Sequence, residues 1–240
     1  MEKLVFRGDY VATTDKLPQG TTRQDIADFF AKPANRNIFL SAGGTRTTSP
    51  LDMTPQFKGF WEDVCDRFKS ENKPNENDTL VAVDTEVKFP GVKLITTSVT
   101  GVKEICSTEN QIEGLELVLV AEKAESTGTA PIVWIFNKLT GYDKREQGVF
   151  YPPDKNNARS IVSAKELDDS SLALCFNLDM QVIVEFPAVL MKILPSSKEK
   201  MEEQGSASIL KAVSKDIDMA MKVAYEKFIE EQSSVETTTS

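Results

Sequence analysis

The feature that most constrains the fold is an unbroken alternation of apolar side chains with others from Leu172 to Phe186. Alternate residues of a strand point to opposite faces, so the pattern predicts a strand with one continuous apolar face. At about 3.3 Å per residue, the segment is longer than a flat core strand needs. We therefore expect it to bend, or to consist of two strands joined without a turn, and to require a long apolar partner.

The end of the chain predicts that partner, a long amphipathic helix. Ser196 and Glu199 form a capping box at its start, and the helical pattern fades near Gln232. We expect residues 233–240 to be a disordered polar tail and residues 1–232 to form a single domain. One face of the helix carries Ile209, Leu210, Val213, Ile217, Ala220, Met221, Ala224 and Phe228.

The beginning of the chain predicts one strand, one short helix and a loop. Residues 4–12 form the strand, and a capping box of Thr21 with Gln24 begins a helix that Pro33 ends. Residues 41–60 are rich in Gly, Thr, Ser and Pro and predict a loop.

The middle of the chain predicts mainly antiparallel strands. Aromatic residues within 57–68 indicate a helical face or an inward-packing loop. Alternating patterns at 81–89, 92–105 and 115–121 predict strands. Residues 131–141 are compatible with a short helix or with a strand.

The order of these elements predicts an α+β fold. The absence of βαβ alternation disfavours a parallel sheet. The economical arrangement is a helix grip, in which a curved antiparallel sheet wraps around the long C-terminal helix, because each buries the other's apolar face. A curved sheet and one helix often leave space between them, so we expect a cavity there.

Three stretches carry a resemblance to a known family: FPGVKL at 89–94, VWIFNKLTG at 133–141, and the segment at 186–217 with its two prolines and Gly205. They resemble a cyanobacterial and plastid family, domain-of-unknown-function family 1997, which is similar to the START and polyketide-cyclase-like superfamily. The resemblance spans about residues 20–230 and consists of spacing and turns. It implies a helix-grip fold that binds a lipid, sterol, pigment or other hydrophobic molecule. It implies no functional residue, and the 41–79 segment is an insertion relative to shorter members.

Composition excludes several kinds of chemistry. The chain has no histidine, which removes Ser-His-Asp and Cys-His catalysis and histidine metal ligands. Its three cysteines form no CxxC, so a structural zinc site is not expected. We expect no metal site, no cofactor and no catalytic residue. The isoelectric point near 4.8 disfavours nucleic acid. No apolar run suggests an integral membrane segment. We expect the plastid stroma if a transit peptide precedes this chain, and the cytoplasm otherwise.

The candidate ligand-binding residues are apolar side chains of the sheet and of the C-terminal helix, together with the two tryptophans. The alternative for each is ordinary core packing, because a cavity wall and a core need the same residues at the same periods. For the tryptophans a partner surface is a third option. The set is Trp61, Phe89, Trp134, Phe176, Met180, Ile209, Val213, Ile217 and Met221.

Four polar or small residues have two interpretations each. Asp84 and Glu86 are expected on the solvated outer sheet face, but a register shift of one residue would turn both inward. Arg159 is expected at the surface, with an acidic headgroup as its alternative partner. Gly205 inside a helix costs about 1 kcal/mol relative to Ala, which close approach of a strand, or room for a ligand tail, would explain.

These observations favour a protein that binds a hydrophobic small molecule without transforming it. The second hypothesis is an interaction or assembly module of the same fold with a protein partner. The third is a cyclase-like or hydrolase-like enzyme using Asp, Glu, Tyr or Lys. The oligomeric state stays open.

Overall fold

The structure is a computed structural model. It describes residues 2–67, 73–89, 92–107, 111–131, 133–134, 137, 145–146, 148–153, 156–186 and 197–238. The side chains at 2, 87–89, 92, 94, 184–186 and 235–238 lie outside this description. Ser196 of the predicted capping box also lies outside it, as do most residues of 131–141.

Seven strands form one antiparallel sheet in the order β1-β7-β6-β5-β4-β3-β2. The strands are β1 (Glu2–Thr13), β2 (Thr47–Leu51), β3 (Thr79–Phe89), β4 (Val92–Cys106), β5 (Ile112–Gly128), β6 (Asn157–Glu166) and β7 (Leu172–Phe186). The helices with described bounds are α1 (Arg23–Ala31), α2 (Pro33–Leu40), α3 (Pro55–Arg67) and α4 (Lys198–Thr238). The predicted α+β helix-grip fold, a curved sheet around a long C-terminal helix, is confirmed.

The main core lies on the sheet face that we call the inner face. Alternate residues of the central strands, among them Val102, Leu117 and Val162, point to this face and form one cluster with the helices. Three phenylalanines of α1 and α2 and the C-terminal half of α4 complete the cluster: Phe29, Phe30, Phe39, Ile217, Ala220, Met221, Ala224 and Phe228. This packing closes the end of the inner face that lies nearest α1 and α2.

The opposite sheet face, the outer face, is covered in part by α3. Trp61 of α3 is 1% exposed and packs with Leu80, Val99 and Val120. A Cβ at Gly101 would lie 2.5 Å from the Trp61 ring, so glycine is required where the indole rests on β4. A β-bulge between Val99 and Thr100 shifts the register of β4 against β5 there.

The N-terminal half of α4 lies along β1, the edge strand. Glu202 Oε1 accepts a hydrogen bond from the backbone N–H of Val5 at 2.8 Å, and Ser206 Oγ accepts one from that of Arg7 at 3.1 Å. A Cβ at Gly205 would lie 2.2 Å from Phe6 Cε1. Close approach of a strand, the favoured explanation of this glycine, is therefore confirmed.

Two local predictions were wrong, and one helix was not predicted. The cap of α1 is Thr22, whose side chain accepts from Asp25 N–H while Asp25 accepts from Thr22, one residue beyond the predicted box. Pro33 does not only end α1: it occupies the first turn of α2, where its missing N–H costs nothing. Residues 41–60 are not a simple loop, because they contain β2 and the start of α3.

Long elements were predicted better than their ends. The segment from Leu172 to Phe186 is one undivided strand, paired with β1 along one side and with β6 along part of the other. Helix α4 continues beyond Gln232 to Thr238. Within 131–141, the described residues 131, 133, 134 and 137 are helical.

Candidate binding site

The structure separates the residues that the sequence grouped as one site. Phe176, Met180, Ile217 and Met221 lie together in the main core, each less than a tenth exposed. Ile209 and Val213 of α4 are only half-buried and pack against the same cluster. These six residues share the inner face, as predicted from their periods.

The other three predicted residues lie elsewhere. Trp61 packs on the outer face, separated by the sheet from the main core. Trp134 is 63% exposed on the helical residues near 133. Phe89 lies in β3, and its side chain is outside the described part of the chain.

Towards the far end of the inner face, hydroxyl-bearing side chains replace the large apolar ones. Strand pairing places them there: Val102 belongs to the core, and even-numbered residues of β4 share its face. The set, which we call the hydroxyl floor, is Thr96, Ser98, Thr100, Ser126 and Ser160. Four of these residues are half-buried and Ser126 is buried.

The hydroxyl floor is bordered by apolar side chains on the side of β7 and α4. Met180 and Val182 of β7 share the inner face, and Ile209 and Val213 of α4 pack against the same cluster. Small side chains in a half-buried sheet face, next to half-buried aliphatic residues, form a surface against which an apolar ligand can pack.

At the far end of the floor, a cluster of polar side chains lines a small pocket. Tyr151 extends the sheet beside β5, because its N–H and C=O both bond to the backbone of Glu122 at 2.9 Å. Arg145 Nη1 donates to Glu122 Oε1 at 3.0 Å and its guanidinium lies 5.3 Å from the Tyr151 ring centroid. The lining comprises Ala124, Ser126, Asn137, Arg145, Glu146, Val149 and Tyr151.

The cavity volume of this pocket is about 10 Å³, enough for one water-sized group. Ser126 Oγ and Asn137 Oδ1 are 2.7 Å apart, and the Tyr151 hydroxyl accepts from the Glu146 N–H at 2.9 Å. The pocket therefore combines hydroxyl, amide, guanidinium and carboxylate groups within one small volume.

The charged residues singled out from the sequence lie on the outer face. Asp84 Oδ1 accepts from the Thr97 hydroxyl at 2.7 Å, and Glu86 pairs with Lys93 at 2.7 Å. Both acids are exposed, which confirms their expected orientation. They point away from the candidate site.

Arg159 also lies on the outer face, where its Nε donates to Glu116 Oε1 at 2.5 Å. Glu116 is buried, so Arg159 supplies the charge that makes its burial tolerable. This contact accounts for Arg159 without a ligand headgroup.

In a second polar cluster, on the outer face, burial raises the pKa of two acidic groups. Burial raises the pKa of the Asp78 carboxyl, although the Asn75 N–H and the Lys103 charge act against this. Burial also raises the pKa of the Cys65 thiol, and the nearby Glu116 charge adds to the effect. A thiol with a raised pKa is a poor nucleophile, so Cys65 is a packing residue.

The sequence analysis missed the pocket at Glu122, Arg145 and Tyr151, and it missed the covered outer face. Glu122 follows the bulge at Val120, which reverses the apparent alternation of β5 and hides its inner-face residues. The signal for the outer face was present, because Val118, Val120 and Ala121 interrupt strict alternation in favour of an apolar run, which indicates a strand buried on both sides.

None of the helices in the described part of the chain combines the length and the apolar character that crossing a bilayer requires. The same part contains no group of three or more Cys, Asp or Glu residues arranged to hold a metal ion.

No family model matches the chain, and no curated protein is significantly similar to it. Membership of domain-of-unknown-function family 1997 therefore stays a prediction. Among solved structures, the Zhui aromatase/cyclase of Streptomyces sp. R1128 is similar at 11% identity with a TM-score of 0.41, covering 92% of this chain and 93% of that chain. A conserved protein of Geobacillus kaustophilus is similar at 12% identity with a TM-score of 0.36, covering 95% and 96%. The helix-grip assignment follows from the sheet order and from the packing of α4.

Proposed function

We propose that the protein binds a largely hydrophobic small molecule on the inner face of the sheet and does not transform it. The observation that supports this most directly is the change along the inner face. Large apolar side chains fill the end next to α1 and α2, whereas at the other end small hydroxyl side chains lie beside the buried Val83 of β3. A ligand between this hydroxyl floor and α4 would rest against Met180, Val182 and Val213.

A binding role without catalysis fits the electrostatics of the site. The carboxylate of Glu122 already forms an ion pair with Arg145, so one of its oxygens is occupied as a hydrogen-bond acceptor. The chain also offers no imidazole. An enzyme of the cyclase or hydrolase kind would need another general acid at this place.

A second candidate function is protein binding, and one observation favours it. Trp134 is 63% exposed, and tryptophan is among the side chains most enriched at the centres of protein interfaces. In this case Trp134→Ala would weaken a partner complex without changing small-molecule binding, which a pull-down and a dye titration measure together.

To test the first proposal, a large side chain is introduced at the position that the ligand would occupy. Ser98→Phe places a ring on the hydroxyl floor, and Asn177→Phe is the matched control on the exposed outer face of β7. Binding of the dye 8-anilino-1-naphthalenesulfonate and its displacement by fatty acids and sterols are measured for the wild type and both variants by fluorescence.

We expect saturable, displaceable binding for the wild type and Asn177→Phe, and at least a tenfold weaker affinity for Ser98→Phe. The thermal unfolding temperature of Ser98→Phe should stay near that of the wild type, because under this proposal the ring enters the volume that the ligand would occupy. No displaceable binding by the wild type, or a folded Ser98→Phe that binds normally, overturns the proposal. A strongly destabilised Ser98→Phe also overturns it, because that outcome shows a filled core.

A further inference from the structure

The polar pocket at the end of the hydroxyl floor indicates which end of a ligand it receives. We propose that the pocket formed by Ser126, Asn137, Arg145 and Tyr151 binds a neutral, oxygen-bearing group, a hydroxyl or a carbonyl, at the end of an otherwise hydrophobic ligand. This inference rests on the proposed function, because it concerns the ligand that lies on the same inner face.

The pocket offers a ligand hydrogen-bond donors and acceptors. The Tyr151 hydroxyl accepts from the Glu146 N–H, and a phenolic oxygen that accepts one bond still has its own proton to donate. Asn137 uses its carbonyl oxygen towards Ser126 Oγ, and its amide group has two further donor hydrogens. A carbonyl or hydroxyl oxygen is the matching acceptor for these donors.

The charges at the pocket favour a neutral ligand group over a charged one. Glu122 and Arg145 form a pair whose formal charges cancel, and Glu146 adds one negative charge to the lining. A ligand carboxylate or phosphate would meet this excess negative charge, and a ligand ammonium would meet the Arg145 guanidinium stacked on Tyr151. Neutral polar groups avoid both penalties and keep the hydrogen bonds.

The size and the position of the pocket suit a substituent of a larger ligand. The cavity volume of about 10 Å³ admits one oxygen-sized group and not a whole ring. Ala124 and Ser126 of β5 lie on the inner face and Ala124 pairs with Thr96, so the pocket adjoins the hydroxyl floor. A ring system on the floor would therefore direct a substituent into the pocket.

The test compares four probes that share one apolar body. They are naphthalene, 2-naphthol, 2-naphthoate and 1-naphthylmethylammonium, and the affinity of each for the full chain is measured by displacement of the dye. We expect 2-naphthol to bind about five- to tenfold more tightly than naphthalene, as one or two net hydrogen bonds would give. The two charged probes should bind no more tightly than naphthalene.

The matched variants are Tyr151→Phe and Tyr225→Phe. Tyr225 donates its hydroxyl hydrogen bond to Lys16 O, away from the pocket, so its loss controls for removal of a phenol. Tyr151→Phe should lower the preference for 2-naphthol over naphthalene to about twofold or less, with naphthalene affinity unchanged. Tyr225→Phe should leave both affinities unchanged.

The outcomes separate the two proposals. Binding of none of the four probes overturns the ligand-binding function, and the pocket inference with it. Equal binding of naphthalene and 2-naphthol, tightest binding of a charged probe, or an unchanged preference in a folded Tyr151→Phe overturns the pocket inference alone. A second variant, Ser126→Ala, guards against misfolding of Tyr151→Phe and should reduce the same preference.

Discussion

The contact between Gly205 and Phe6 allows a quantitative test of how α4 is held on the sheet. An exposed glycine inside a helix costs about 1 kcal/mol relative to alanine, so Gly→Ala alone should stabilise a helix by that amount. At Gly205 the new methyl group would lie 2.2 Å from Phe6 Cε1 and 2.6 Å from Cδ1. Carbon atoms in contact lie about 3.5–4.0 Å apart, so the Phe6 ring must move away from the new methyl group by roughly 1 Å or more.

Overpacking of this kind costs about 1–3 kcal/mol. We therefore expect Gly205→Ala to lower the free energy of unfolding by about 1 kcal/mol after the gain in helix propensity. Gly59→Ala is the matched control, because Gly59 is exposed inside α3 and an added Cβ there has no atom within 4 Å. It should raise the free energy of unfolding by about 1 kcal/mol.

The assay is urea unfolding followed by circular dichroism, with a double-mutant cycle that adds Phe6→Ala. The cycle should give a coupling energy of about 2 kcal/mol between Gly205 and Phe6, because removal of the ring relieves the clash. If Gly205→Ala is as stabilising as Gly59→Ala, or if the coupling is near zero, α4 does not lie on β1 as described.

Three further predictions concern the core, the buried charges and the other end of α4. Gly101→Ala should displace the Trp61 ring, lower the free energy of unfolding by about 1–3 kcal/mol and shift Trp61 fluorescence to longer wavelength; unchanged emission would contradict the packing of α3. Because the pKa of Asp78 is raised in the folded state, its contribution to stability is present below its unfolded pKa and is lost as the pH rises through its folded pKa. The free energy of unfolding of Asp78→Asn, measured in urea, should therefore rise relative to that of the wild type between about pH 4 and pH 7, and a pH-independent difference would refute this. The hydrogen bond from the Tyr10 hydroxyl to Asp218 raises the pKa of Tyr10, so Tyr10→Phe should lower the free energy of unfolding by about 1 kcal/mol at neutral pH. This loss should shrink as the pH rises through the folded pKa of Tyr10, and a constant loss up to the most alkaline pH at which the protein folds would count against the contact.

The sequence predicted the fold because its longest elements have simple periods. The alternation in β7 and the helical stripe of α4 each identify one apolar face, and those faces meet in the main core. Residue periods also placed Asp84 and Glu86 correctly on the outer face. What periodicity gives is the face of an element and not the contact it makes.

The site was harder to predict for the same reason. Phe176 and Met221 have the right periods for a cavity wall, but packing by α1 and α2 fills that end of the inner face. The polar pocket depends on a bulge at Val120 and on the pairing of Tyr151 beside Glu122, a contact between strands that no local pattern encodes. Trp61 faces away from the main core because α3 crosses the outer face, an arrangement that depends on Gly101 in a distant strand.

The position of β1 determines when the fold can be completed. The Thr13 hydroxyl contacts Cys175 across 162 residues of sequence, and the other side of β1 binds α4, which is later still in the chain. A ribosome adds about 5–20 residues per second, so β1 waits on the order of ten seconds or more before either neighbour exists. Long-range pairings of this kind also slow refolding of the complete chain. The first strand to be synthesised is therefore among the last to find its place, and the two elements that secure it, β7 and α4, are made one after the other at the end.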